Sequence, residues 1–246
     1  MRQFICLVLL PLLLCACTST PGKKEDKYWH AAKIAAQDPL TWAPLAAAAV
    51  IAATDQDQQI SDDLSSKTPI FSNQENANSQ SDRMKNVLKL SAIMSAAFLP
   101  ENYQSKYLTG NFFTLLSVQG ATDQIKSIAD RERPNGEDRE SFPSGHTSQA
   151  FAAARIVHDN LALYDNLSED SKNVLNVTAY SMAVGTAWAR MEAQRHYPTD
   201  VLVGAAFGNF MATFFNEAFL NESNMRMNVG IDPDVDVLMV SLNWRF

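Results

Sequence analysis

Apolar side chains return at helical spacing in one long segment after another, and this pattern restricts the chain to a helical body. Val87, Leu88, Leu90, Ile93, Met94, Ala97 and Phe98 mark a helix over 84–99 that Pro100 stops. Phe112, Phe113, Leu115, Leu116, Val118, Ile125 and Ile128 mark another over 107–131. Residues 144–163, 169–194 and 198–220 give three more, the last with Pro198 in its first turn. The Ala-rich stretch 28–54 reads as a short helix and a longer one, broken by Pro39 and Pro44. After the leader, no stretch has the roughly 18 uninterrupted apolar residues of a membrane span. The fold expected is therefore all-α, a soluble helical domain rather than a polytopic membrane protein.

The remaining segments read differently. Residues 55–82 are rich in Asp, Gln, Ser and Asn and are expected to be mostly loop. Ile60, Leu64, Ile70 and Phe71 are available to pin that loop or to make it a lid. The tail changes period: Leu238, Val240, Leu242, Trp244 and Phe246 alternate after the turn Asp232-Pro233-Asp234. A small C-terminal β-hairpin over 223–246 is expected, laid against the helices, since two strands are too few for a barrel.

The first residues look like an export address. Arg2 precedes an apolar run from Phe4 to Leu14, and Leu14-Cys15-Ala16-Cys17 resembles a lipoprotein processing box. The division expected is a signal peptide at 1–16, a polar tether at 17–27, a helical domain at 28–222 and the hairpin at 223–246. Cys17 would carry the lipid, and Thr18 after it resembles the outer-membrane pattern, facing the periplasm. All three cysteines, Cys6, Cys15 and Cys17, lie in this leader, so the domain has no thiol for a disulfide, a nucleophile or a zinc site. The net charge of −7 argues against a nucleic-acid partner and makes any anion site a local cationic pocket.

Such a pocket is written between 126 and 200. Lys126 and Arg133 are seven apart, which on one helix puts both on the same face. Pro143-Ser144-Gly145-His146 opens a helix whose first N–H groups can cradle an anion, with Ser144 as its cap and Gly145 permitting close approach. Arg190 ends one helix, and His196 and Asp200, four apart, open the next. Asp200 can then accept a hydrogen bond from one ring nitrogen of His196 and leave the other lone pair free. Each piece alone is more often a solvated face or an ordinary cap. His30 and His158 have no partners at telling spacing, and Asp130, Arg131 and Glu132 read as solvated, with Arg131 able to reach the pocket rim.

Together, Lys126-x6-Arg133-Pro134, Pro143-Ser144-Gly145-His146 and Arg190-x5-His196-x3-Asp200 resemble the signature of the type 2 phosphatidic acid phosphatase superfamily. That superfamily includes bacterial non-specific acid phosphatases, lipid phosphatases and vanadium haloperoxidases. Ala189 stands where the family usually carries Ser. The resemblance implies a compact helical bundle and a metal-independent phosphatase working through a phosphohistidine. It implies His196 as nucleophile, Asp200 as its orienting group and His146 as general acid and base. Lys126, Arg133, Ser144, Gly145 and Arg190 would hold the phosphate oxygens, with no metal or other cofactor. Lipid phosphates and small phosphomonoesters both remain open as substrates. A vanadium-dependent haloperoxidase and a non-catalytic envelope lipoprotein are the competing readings.

Overall fold

The structure, a computed structural model, describes residues 26–221, 225–232 and 237–244. The expected signal peptide, the lipidation site Cys17 and nearly all of the tether lie outside the described residues.

Two helices open the described chain, α1 (Lys27–Gln37) and α2 (Pro39–Thr54). Asp38 separates them: its carboxylate accepts from the Leu40 amide at 2.8 Å, and Pro39 takes the first helical position. Pro44 does not break the helix as expected. It is carried inside α2, a helix that buries Thr41 and Ala48.

The segment 55–82 is not a loop. It forms α3 (Asp57–Lys67) and the first turns of α4 (Gln74–Ala97), whose N-cap Asn73 accepts from the Asn76 amide at 2.8 Å. The residues these helices bury here are Ser61, Ser65, Ala77 and Ser81, small side chains that leave no hydropathy signal. The connection between them is strapped down: the Ile70 and Phe71 amides each donate at 3.0 Å to the buried carboxylate of Glu192.

Pro100 precedes α5 (Glu101–Ala129), which ends at Asp130 in the left-handed region, φ 43°. Arg133 therefore lies beyond the helix, in the following loop, and the one-face argument for Lys126 and Arg133 does not hold. Next come α6 (Gly145–Leu161), α7 (Glu169–Glu192) and α8 (Pro198–Phe215), the last running on into a π-helical turn, Asn216–Leu220. The strands β1 (Met225–Asp232) and β2 (Val237–Trp244) pair antiparallel, Met225 opposite Trp244.

The central element is α6. It packs against α4, α5, α7 and α8. Ala150, Phe151, Ala152, Ala153, Ala154, Ile156 and Val157 are all buried in the main core cluster. So many alanines give a narrow helix that four neighbours can approach. The approach of α8 is closest. A Cβ built on Gly204 would lie 2.7 Å from the Ser144 carbonyl oxygen, and one on Gly208 2.1 Å from that of Ser148. Only the missing side chains let the backbones of α6 and α8 meet there. This contact joins the start of α6, which carries His146, to the start of α8, which carries Asp200.

Candidate active site

His196 lies in the turn between α7 and α8 and is buried, with 1% exposure. Its Nδ1 lies 2.6 Å from the Ser141 carbonyl oxygen. A carbonyl can only accept, so Nδ1 carries the proton and Nε2 keeps its lone pair. Asp200 does not make this hydrogen bond, as the four-residue spacing had suggested. Its Oδ2 stands 3.9 Å from Nδ1 and accepts instead from Ser141 Oγ at 2.5 Å and the Tyr197 amide at 2.8 Å. The helical spacing brings Asp200 near the ring, but the capping role at the start of α8 turns its oxygen toward the chain. Asp200 thus holds the Ser141 loop that in turn holds the ring. Burial pushes its carboxyl up to about 6, opposed by Arg131, Ser141 and the Tyr197 amide.

Three cations bear on His196. Burial, then Arg190, Arg133 and Lys126, push its pKa well below the ordinary histidine value. The imidazole is neutral and its free lone pair faces a positive field. Arg190 is itself buried, with Nη1 donating to Asn78 Oδ1 at 2.6 Å and to Ser81 Oγ at 3.3 Å, and its Nε is buried without a hydrogen-bond partner. These described partners are neutral. Burial together with Arg133 and Arg195 brings its pKa down to about 9. A guanidinium placed this way is suited to an incoming anion. Arg133 is held by Asp138 Oδ1, 2.5 Å from its Nε, and leans on the Arg195 carbonyl at 3.4 Å.

The start of α6 completes the cationic wall. A Cβ on Gly145 would lie 3.7 Å from Lys126 Nζ, so the ammonium sits beside the first helical turn. Ser144 is buried at the N-cap position, yet its side chain makes no capping hydrogen bond; its Oγ accepts from Thr147 Oγ1 at 3.0 Å. The cap expected of Ser144 is thus absent, and its Oγ does not compete for the first N–H groups of α6. Burial and Arg133 lower the pKa of Lys126. Arg190, Arg133, Lys126 and Asp200 are therefore brought around His196, and the charge of Arg190 also reaches His146.

Several residues that the sequence reading passed over belong to the same place. His146 Nε2 lies 2.7 Å from Asp82 Oδ1 and 3.2 Å from Lys85 Nζ, both on α4. Arg131, read as solvated or at the pocket rim, is largely buried. It donates to Asp200 Oδ1 at 2.5 Å, to Asp57 Oδ2 at 2.6 Å and to Thr199 Oγ1 at 2.9 Å, and lies over the Tyr197 ring at 4.1 Å. The clue was present in the polar run Asn78, Ser81, Asp82, which the hydropathy pattern assigned to a loop. Among the described residues, no group of three or more His, Cys, Asp or Glu side chains is arranged to hold a metal ion.

The fold and site define a class: an all-helical bundle with a cationic anion-binding site around a neutral, buried imidazole. Residues 112–223, a little under half of the chain, match the model of the PAP2 superfamily. A lipid A 1-phosphatase of Porphyromonas gingivalis is 34% identical over 42% of this chain and 22% of its own length. A probable diacylglycerol pyrophosphate phosphatase of Schizosaccharomyces pombe is 36% identical over 28% of this chain and 26% of its own. The chain matches less than half the length of each of these relatives. The crystal structure of a transmembrane PAP2-type phosphatidylglycerolphosphate phosphatase from Bacillus subtilis superposes with a TM-score of 0.58 at 20% identity. That match covers 72% of this chain and 92% of the other, and it establishes the likeness of fold. Among the described residues, no single helix here is long and apolar enough to cross a membrane.

Proposed function

We propose that the chain is a metal-independent phosphatase acting on lipid phosphates through a phosphohistidine on His196. The observation that carries this reading is the pairing of Nδ1–H with Ser141, which leaves a neutral Nε2 among Arg190, Arg133 and Lys126. Nε2 attacks phosphorus of the bound phosphate monoanion, His146 takes up that ester's proton, and as the bond to the leaving alkoxide breaks His146 passes the proton to its oxygen. In the second half, His146 takes a proton from water, the water oxygen attacks phosphorus, and the P–N bond breaks to release inorganic phosphate. Lys126, Arg133, Arg190 and the amides after Ser144 stabilise the charge on the equatorial oxygens throughout. Asp200 acts through Ser141, keeping the nucleophile's tautomer.

The lipid preference is supported by the named activities of the relatives and by the surface. Val87, Leu90, Met94 and Phe98 are exposed at helical spacing along α4, an apolar stripe suited to a lipid–water boundary. Attachment through Cys17 to the outer membrane belongs to the same proposal and would keep the domain beside such substrates. The test is phosphate release by the full chain, in EDTA, from a lipid phosphate in mixed micelles and from p-nitrophenyl phosphate. Wild type is expected to turn over the lipid faster and His196→Ala neither. Equal activity in His196→Ala, or loss of wild-type activity in EDTA, ends the mechanism; preference for the soluble ester ends the lipid assignment.

A further inference from the structure

Outside the matched family segment, α4 places a carboxylate and an ammonium on the second histidine. Asp82 Oδ1 lies 2.7 Å from His146 Nε2 and 3.1 Å from Lys85 Nζ, and Lys85 Nζ lies 3.2 Å from the same ring nitrogen. We propose that Asp82 is the positioning residue of His146: it fixes the ring proton on Nε2, holds Lys85 off that nitrogen and leaves Nδ1 to exchange protons with the substrate. This rests on the phosphatase reading above.

The chemistry of the three groups permits one resting arrangement. The carboxylate can only accept and the ammonium can only donate. With Asp82 present, Nε2–H donates to Oδ1, and Lys85 donates to the same oxygen. Without it, Lys85 is left to donate to Nε2, which moves the ring proton to Nδ1. That tautomer has no lone pair on Nδ1 and cannot take a proton from water there. The surrounding charges make the effect consequential. Asp82 and Lys85 face the ring from α4 and Arg190 from α7, while Lys126 of α5 stands beside Gly145. Burial, Arg190 and Lys85 drive the pKa of His146 down to about 3, and Asp82 alone among these groups opposes them. A general acid must hold a proton when the leaving oxygen needs it, and the arriving phosphate adds its negative charge to that of Asp82. For Asp82 itself, burial works upward, but the hydrogen bonds and charges of His146 and Lys85 win and lower its pKa, so it stays anionic.

The experiment has two arms on the full chain. Ring ¹⁵N shifts of His146 at pH 7, assigned by their loss in His146→Gln, report the protonated nitrogen. Wild type is expected to carry the proton on Nε2, and Asp82→Ala on Nδ1. In the second arm, an alkyl phosphate needs a protonated leaving group and p-nitrophenyl phosphate does not. Asp82→Ala and Asp82→Asn are each expected to lower the alkyl-to-nitrophenyl ratio of kcat/KM, which reports cleavage of the ester bond and not the shared hydrolysis of the phosphohistidine, at least about tenfold, with no further effect of either in His146→Gln. Asp82→Asn keeps an acceptor without the charge, so it retains Nε2–H while losing the ratio, and it decides the matter if the alanine variant does not fold. Unchanged ¹⁵N shifts in Asp82→Ala, a wild-type proton on Nδ1, or equal losses of kcat/KM on both esters overturns the inference. If wild type hydrolyses neither ester, the phosphatase reading falls while the nitrogen shifts still decide what Asp82 does to His146.

Discussion

Arg131 lies between two carboxylates, Asp57 and Asp200, and the position of the His196 ring depends on it at one remove. Burial lowers its basicity, but Asp200 and Asp57 outweigh burial and raise its pKa. Removing it leaves two acidic groups facing each other in a site where Asp200 is fully buried. Arg131→Met is expected to cost about 3 kcal/mol in urea denaturation and to lower kcat more than it raises KM, since Arg131 holds Asp200 rather than phosphate. Arg190 should behave in the opposite sense. It is a buried cation among neutral partners, held for its charge and not for stability. Arg190→Met is expected to lower kcat/KM by about 10²–10³ while leaving Tm unchanged or raising it. A Tm drop with intact kcat/KM would assign Arg190 to the core instead.

Among the elements, the contact between α6 and α8 decides whether the two halves of the site meet. The Ser144 amide donates to the Asp200 carbonyl at 3.0 Å, a backbone link across the two helix starts. Gly204 and Gly208 make it possible. Because the atoms that a Cβ on Gly208 would strike are backbone atoms of Ser148, they cannot swing aside. Gly208→Ala is expected to destabilise by about 1–3 kcal/mol and to reduce kcat through displacement of His146 relative to His196, measured by denaturation and steady-state kinetics. Gly120→Ala serves as the control, since nothing lies within 4 Å of its added methyl. There the greater helix propensity of alanine should stabilise by up to about 1 kcal/mol. The helices α3 and α4 show how the sequence pattern misleads at this scale. The residues buried by α3 and by the first turns of α4 are Ser61, Ser65, Ala77 and Ser81, the last accepting from Arg190, and a reading by hydropathy sees only a polar loop there.

At the scale of the molecule, burying the site couples folding to pH. His196 and His146 have folded pKa values below the ordinary 6.5. The unfolded chain then binds more protons, so their contribution to stability is lost as pH falls below about 6.5 toward the folded values. Asp200, up to about 6, and Asp159, up to about 7 by burial, have the opposite sign. For these the folded state binds the extra proton, and stability is gained as pH falls from about 7 toward 3.8. The opposed pairs should give wild type a shallow stability profile over this range. Removing one histidine unbalances it: His146→Gln is expected to gain about 2 kcal/mol over wild type between pH 7 and pH 5, read from urea midpoints at the two values. An identical pH slope in both proteins would mean that His146 is not held neutral by the fold.

The residues of the anion site were legible because chemistry restricts them by type and spacing: histidines for proton and nucleophile work, arginine and lysine for charge, glycine at a helix start. The helical class of the body was legible because a helix buries one stripe of its own sequence. The partners of those residues were not. Ser141 rather than Asp200 on His196, Asp82 and Lys85 on His146, and Asp57 on Arg131 all arise between segments far apart in the chain. Local spacing fixes which side chains share a helix face, whereas the direction of each hydrogen bond is set by the elements that pack against it. Thus the sequence by itself determined the inventory of the proposed site and the helical body. Only the tertiary structure decided which nitrogen of each histidine is free, because that depends on which acceptor the fold delivers to the other.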